Sequence, residues 1–156
     1  MDATTTQSIN LLNKLQQDFP QISFHPAKDF FWSPPDKAVY FIPDGDVAAL
    51  LHEVAHGVLN HQRYTKAIQL IEMERQAWEE ARILASRYNI ALDDDNIEDH
   101  IDTYRDWLHA RSTCPTCKAT GIEEAKNVYH CLSCLKNWSV NEARTCQLRR
   151  YKIATK

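Results

Sequence analysis

The chain has only 3 glycines in 156 residues, and none sits in a Gly-rich run. That excludes a phosphate-cradling nucleotide loop and argues against a loop-rich fold. Long hydrophobic runs are also lacking, so no stretch is expected to span a membrane. The opening Met1-Asp2-Ala3-Thr4-Thr5 has neither the basic start nor the apolar run of a secretory signal, and a cytoplasmic location is expected. Residues 1–110 lack cysteine altogether, and residues 111–156 nearly lack acid. The first segment holds 9 Lys+Arg against 18 Asp+Glu, a formal −9. The second holds 9 against 3, a formal +6, together with all 5 cysteines. Both breaks fall near residue 111, so a larger domain over 1–110 and a smaller one over 111–156 are expected. The apolar fraction of 44% is ordinary for a globular chain and gives the larger domain enough material for a core.

The most informative stretch is Leu50-Leu51-His52-Glu53-Val54-Ala55-His56-Gly57-Val58-Leu59. It reads His-Glu-x-x-His within an apolar helical pattern. Residues four apart share a helix face, so His52 and His56 lie side by side at a spacing that suits one zinc ion. Glu53 is next to the pair, where a general base for a zinc-bound water would stand. The bare motif also occurs by chance as a surface pair on an amphipathic helix. Here, Val47, Leu50, Leu51, Val54, Val58 and Leu59 form a core-facing stripe, with both histidines at its margin. Burying two imidazoles there without a partner would be unfavourable, and a metal ion is a suitable partner.

A catalytic zinc usually has three protein ligands. His61 is five residues past His56 and does not fit the metzincin pattern, which wants glycine at 59 and histidine at 62, where this chain has Leu59 and Gln62. The next helical stretch, Ile71-Glu72-Met73-Glu74-Arg75-Gln76-Ala77-Trp78, offers a glutamate instead. Glu74-x-x-Ala77 after His-Glu-x-x-His resembles the gluzincin peptidases, including the small bacterial and archaeal ones and the ImmA/IrrE-like peptidases. The resemblance covers about residues 20 to 90. It implies His52, His56 and Glu74 as ligands of a catalytic zinc and Glu53 as base, with a small alanine letting the two helices approach. Glu72 is the rival ligand. It cannot share a helix face with Glu74, and only Glu74 has Ala77 one turn on. The chain departs from the family at Trp78, where many gluzincins carry an acid, so the carboxylate that would orient a ligand histidine comes from elsewhere or is missing.

The remaining pattern predicts an α+β protein: a helical, zincin-like core with a small antiparallel sheet, followed by a zinc ribbon. Helices are expected over Thr6–Phe19, from Asp46 as N-cap to about His61, over Tyr64–Tyr88, and over Asn96–Ala110. On the third of these, Ile68, Ile71, Ala77, Trp78, Ala81, Leu84 and Ala85 are expected to pack. Ile22–His25, Phe30–Ser33 and Ala38–Ile42 read as strands, the last two joined by Pro34-Pro35-Asp36-Lys37. Their aromatics suit a sheet core, and the sheet edge suits an extended peptide. His25 is a candidate site residue that reads more simply as structural. Asp93-Asp94-Asp95 reads as a solvated turn. His100, Asp102 and Tyr104 are candidates to stabilise a tetrahedral intermediate, and each has a plain reading as core or surface.

Cys114-Pro-Thr-Cys117 and Cys131-Leu-Ser-Cys134 are two Cys-x-x-Cys knuckles separated by 13 residues. Four thiolates at this spacing fit a tetrahedral structural zinc, which a segment this small needs in order to fold. Val128–His130 and Trp138–Val140 read as ribbon strands. Cys146 is left over as a free thiol. Arg144, Arg149, Arg150, Lys152 and Lys156 make a basic tail, with Trp138 and Tyr151 nearby, which suits weak phosphate binding and stacking.

The leading expectation is a zinc metalloendopeptidase acting on a protein or peptide substrate, with one catalytic and one structural zinc and no membrane association. An alternative resembles the SprT-like proteases, which pair His-Glu-x-x-His with a C-terminal zinc ribbon and act on DNA-bound proteins. Those use a third histidine downstream, and this chain has none between His61 and His100. A third reading is a non-catalytic adaptor or regulator working through the ribbon.

Overall fold

A computed structural model of the chain describes residues 3–142, 148 and 150–153. The elements run α1 (Ala3–Asp18), β1 (Ser23–Pro26), β2 (Phe31–Ser33), β3 (Ala38–Phe41), α2 (Val47–Val58), α3 (Ala67–Arg87), α4 (Asp94–Ser112), β4 (Ile122–Ala125), β5 (Val128–His130), β6 (Asn137–Val140) and β7 (Arg150–Ile153). The fold is α+β, as the periodicities predict. Arg144, Cys146, Arg149 and Lys156 of the basic tail lie outside the described residues.

The chain forms two compact units. One is Met1–Arg63 with Met73–Asp94, and the other is Tyr64–Glu72 with Asp95–Lys156. The first unit holds a sheet of order β1-β3-β2. β2 and β3 form the expected antiparallel hairpin, but β1 pairs with β3 in parallel, so the sheet is mixed. The middle place goes to the most apolar strand: Ala38, Val39 and Phe41 of β3 are buried, whereas β1 is largely exposed. α2 lies against β2 and β3. Leu11, Leu15, Phe19 and Ile22 join Leu51, Val54, Ala77, Ala81 and Leu84 in this unit's core.

α2 begins at Asp46, whose carboxylate accepts the Ala48 backbone N–H at 3.0 Å. Its end has the hydrogen-bond pattern of a Schellman cap. Asn60 takes a positive φ of 52°, its N–H donates to the Gly57 carbonyl at 3.1 Å, and the His61 N–H donates back to the His56 carbonyl at 3.0 Å. α3 starts and ends within three residues of expectation, and its packing face is narrower, because Ile68 is exposed.

In the second unit the ribbon is a four-stranded antiparallel sheet of order β4-β5-β6-β7. β7 arises within the basic tail, where no strand pattern is visible. The residue at the charge break, Arg111, is fully buried. Its guanidinium lies 4.2 Å from the Trp107 ring centre and donates to the Glu142 carbonyl, which also accepts the Trp107 indole N–H. Trp138 of β6 donates to the Arg111 carbonyl at 3.0 Å. The ribbon therefore shares its compact unit with α4, and the change of composition at residue 111 falls inside that unit. Among the described residues, no helix is long and apolar enough to cross a membrane.

Candidate metal centre

α2 projects His52 and His56 from one face, and α3 brings Glu74 to meet them. His52 Nε2 is 2.8 Å from Glu74 Oε2, His56 Nε2 is 3.2 Å from Glu74 Oε1, and the two Nε2 atoms are 3.1 Å apart. All three side chains are buried. Ligand atoms bound at 2.0–2.1 Å in a tetrahedron stand about 3.4 Å from one another. The contacts fall short of that spacing by about 0.2 to 0.6 Å, and these residues could hold a metal ion. Glu72, the rival, is exposed. Ala77 is fully buried one turn after Glu74.

The electrostatics follow from the burial. Desolvation lowers the His52 pKa below the ordinary histidine value, which favours the neutral imidazole that a metal requires. Burial works against the charge on Glu74, but its close contacts with the His52 and His56 imidazoles outweigh it and hold the carboxyl below its usual range. Glu53 is pushed up to about 7, chiefly by burial, although its carboxylate accepts a hydrogen bond from the Trp32 backbone N–H. A carboxyl near neutrality can take and return a proton.

Packing and a neighbouring histidine occupy the places where an orienting acid would be expected. Trp78 stacks on the His52 ring, with centres 4.2 Å apart and planes 28° from parallel. His56 Nδ1 is 2.8 Å from His61 Nδ1, and His61 Nε2 is 3.1 Å from Gln76 Oε1. His61 is buried, and desolvation lowers its pKa. Reading for metal ligands passes over His61, because it falls at no ligand position. The signal available in the sequence is Asn60, a residue that favours the left-handed turn ending a helix and so returns the next side chain to the helix end.

His25 is exposed on β1 with its ring 5.3 Å from Tyr40. His100, Asp102 and Tyr104 lie on α4, in the other compact unit, where Asp102 pairs with Arg105 at 2.7 Å. Of the Asp93-Asp94-Asp95 run, Asp94 and Asp95 open α4, and Asp94 pairs with Arg82.

The second cluster is Cys114, Cys117, Cys131 and Cys134, whose sulfurs all lie within 4.8 Å of one another. Cys114 and Cys134 are 3.6 Å apart, and Cys117 and Cys131 are 3.5 Å apart. Thiolates around a tetrahedral zinc stand about 3.8 Å apart. The two knuckles are built alike. Burial opposes the Cys114 thiolate, but the backbone N–H groups of Cys117 and Thr116 lower its pKa to about 6. The backbone N–H of Cys134 lowers Cys131 in the same way. Cys134, despite the Lys136 backbone N–H, is pushed up to about 11 by burial and the three other sulfurs. The four sulfurs are placed so that they could hold a metal ion. The residue after each knuckle, Lys118 or Leu135, has a positive φ of 68° or 64°.

Comparison of the chain with family models, with curated proteins and with solved structures returns no match.

Proposed function

We propose that this chain is a zinc-dependent metalloendopeptidase with a second, structural zinc in its ribbon. One observation carries the reading: three buried side chains each meet the other two within 3.2 Å, beside a carboxylate whose burial tunes it near neutrality. A zinc ion bound there supplies Lewis-acid chemistry, making water acidic and polarising a carbonyl. His52, His56 and Glu74 hold the ion. Glu53 takes the proton from the attacking water and delivers it to the leaving amine. The Trp32 N–H fixes the Glu53 carboxylate. β2, which carries Trp32, is an edge strand. An extended substrate pairing along that edge is brought to the base. The Cys114, Cys117, Cys131 and Cys134 zinc staples the ribbon and takes no part in chemistry.

Glu53→Gln tests the reading. The variant keeps the ligands and the hydrogen-bonding shape, so it is expected to retain both zincs while peptide cleavage falls at least about a hundredfold. Undiminished cleavage by this variant would overturn the mechanism. Tyr151, half exposed on β7, supports a second role for the ribbon in weak docking of nucleic acid. Cleavage stimulated by DNA would support that role, and no DNA binding at low salt would end it.

A further inference from the structure

We infer that His61 and Gln76 act as a positioning relay that fixes the tautomer of His56, leaving its Nε2 lone pair free for the metal. The inference rests on the metal site proposed above. Its starting point is the hydrogen-bond chain His56 Nδ1–His61 Nδ1 at 2.8 Å and His61 Nε2–Gln76 Oε1 at 3.1 Å. An amide oxygen only accepts, so the His61 Nε2 atom facing it carries hydrogen. In a neutral His61 ring, Nδ1 then has only a lone pair. The single hydrogen between the two Nδ1 atoms therefore belongs to His56, and Nε2 of His56 is the unprotonated nitrogen. That nitrogen is the one 3.2 Å from Glu74 and 3.1 Å from His52. The opposite arrangement, with hydrogen on His61 Nδ1, would place a proton on the ligand nitrogen of His56 and block the site.

The local fold holds this geometry on three sides. The Schellman cap at Asn60 returns His61 over His56, with the His61 N–H bonded to the His56 carbonyl at 3.0 Å. The Trp32 indole N–H donates to the His61 carbonyl at 2.9 Å, pinning the residue from the sheet side. Gln76 lies two residues past Glu74 on α3, so one helix supplies both a metal ligand and the end of the relay that sets another. The arrangement performs the task usually given to a carboxylate behind a ligand histidine, but with a neutral amide acting through a second imidazole.

The test uses the full chain. Wild type, Gln76→Ala, His61→Phe and Gln76→Glu are titrated with zinc against a competing chelator. Imidazole nitrogen shifts are read by NMR on the zinc-loaded wild type. The expected results are hydrogen on Nδ1 of His56 and on Nε2 of His61. Zinc binding at the histidine site should be roughly 10- to 100-fold weaker in Gln76→Ala and His61→Phe. Gln76→Glu, which keeps an acceptor, should bind at least as tightly as wild type. Hydrogen on Nδ1 of His61 would overturn the relay. So would affinities within about twofold of wild type in both weakened variants, or equal loss in Gln76→Glu and Gln76→Ala. A wild type that binds only the ribbon zinc would overturn the peptidase reading and the relay together. Tight zinc binding without peptide cleavage would overturn the peptidase reading and leave the relay standing.

Discussion

At the scale of single residues, the site depends on small side chains as much as on ligands. Gly57 directly follows His56 in the last turn of α2, where alanine would ordinarily be favoured by up to about 1 kcal/mol. A Cβ there would stand 2.8 Å from Ile22 Cδ1 and 3.0 and 3.2 Å from two carbons of the Trp32 ring. Overpacking of that kind costs about 1–3 kcal/mol, so the clash outweighs the propensity gain. Gly57→Ala is expected to lower stability by up to about 2 kcal/mol in a urea titration. It should also weaken cleavage, because the displaced Trp32 supplies both the N–H to Glu53 and the indole bond to His61. An unchanged or raised denaturation midpoint would show that the glycine is incidental. The spacing of His52, Glu53 and His56 is plain in the sequence because four residues make one helical turn. Glu74 is readable only through resemblance, since two glutamates stand two residues apart and burial alone separates them. Trp78 reads as a missing acid, whereas in the fold its ring stacks on His52. Sequence spacing has no term for a stacking ring.

At the scale of elements, periodicity marks the helices plainly and the tail strand hardly at all. α2 and its Asp46 cap follow from an apolar stripe and a turn residue. The parallel pairing of β1 with β3 leaves no mark in a four-residue strand, because local pattern does not encode which neighbour a strand meets. β7 is hidden among basic residues, and its partner β6 supplies the order. The ribbon's two knuckles also carry a local conflict. Leu135 follows the second knuckle with φ at 64° and is 62% exposed, so it occupies a left-handed conformation without gaining burial. The left-handed backbone costs a Cβ-bearing residue about 1–2 kcal/mol, and glycine gives back roughly 0.4–1 kcal/mol through the freer unfolded chain. Leu135→Gly is therefore expected to stabilise the ribbon by a few tenths to about 1 kcal/mol. The measurement is the rate at which a chelator strips the ribbon zinc, which should slow. Faster stripping would mean that the leucine side chain contributes a contact worth more than the strain.

At the scale of the whole molecule, the charge and cysteine break at residue 111 marks a change of composition, and the packing runs through it. Arg111 is buried between Trp107 and the Glu142 carbonyl, so the ribbon and α4 share one compact unit. Composition reports what each segment is made of, whereas the unit boundary depends on which side chains bury one another, and a lone arginine at a helix end announces neither role. What the sequence pattern does predict at this scale is two separate metal clusters, one of nitrogen and oxygen donors and one of sulfur. The most direct measurement is zinc per chain by elemental analysis of the wild type and of His56→Ala. The account predicts about two zinc ions per wild-type chain and about one in the variant, the remaining ion held by Cys114, Cys117, Cys131 and Cys134. One zinc in both proteins would contradict it, leaving the ribbon as the sole metal site and removing the basis for a peptidase.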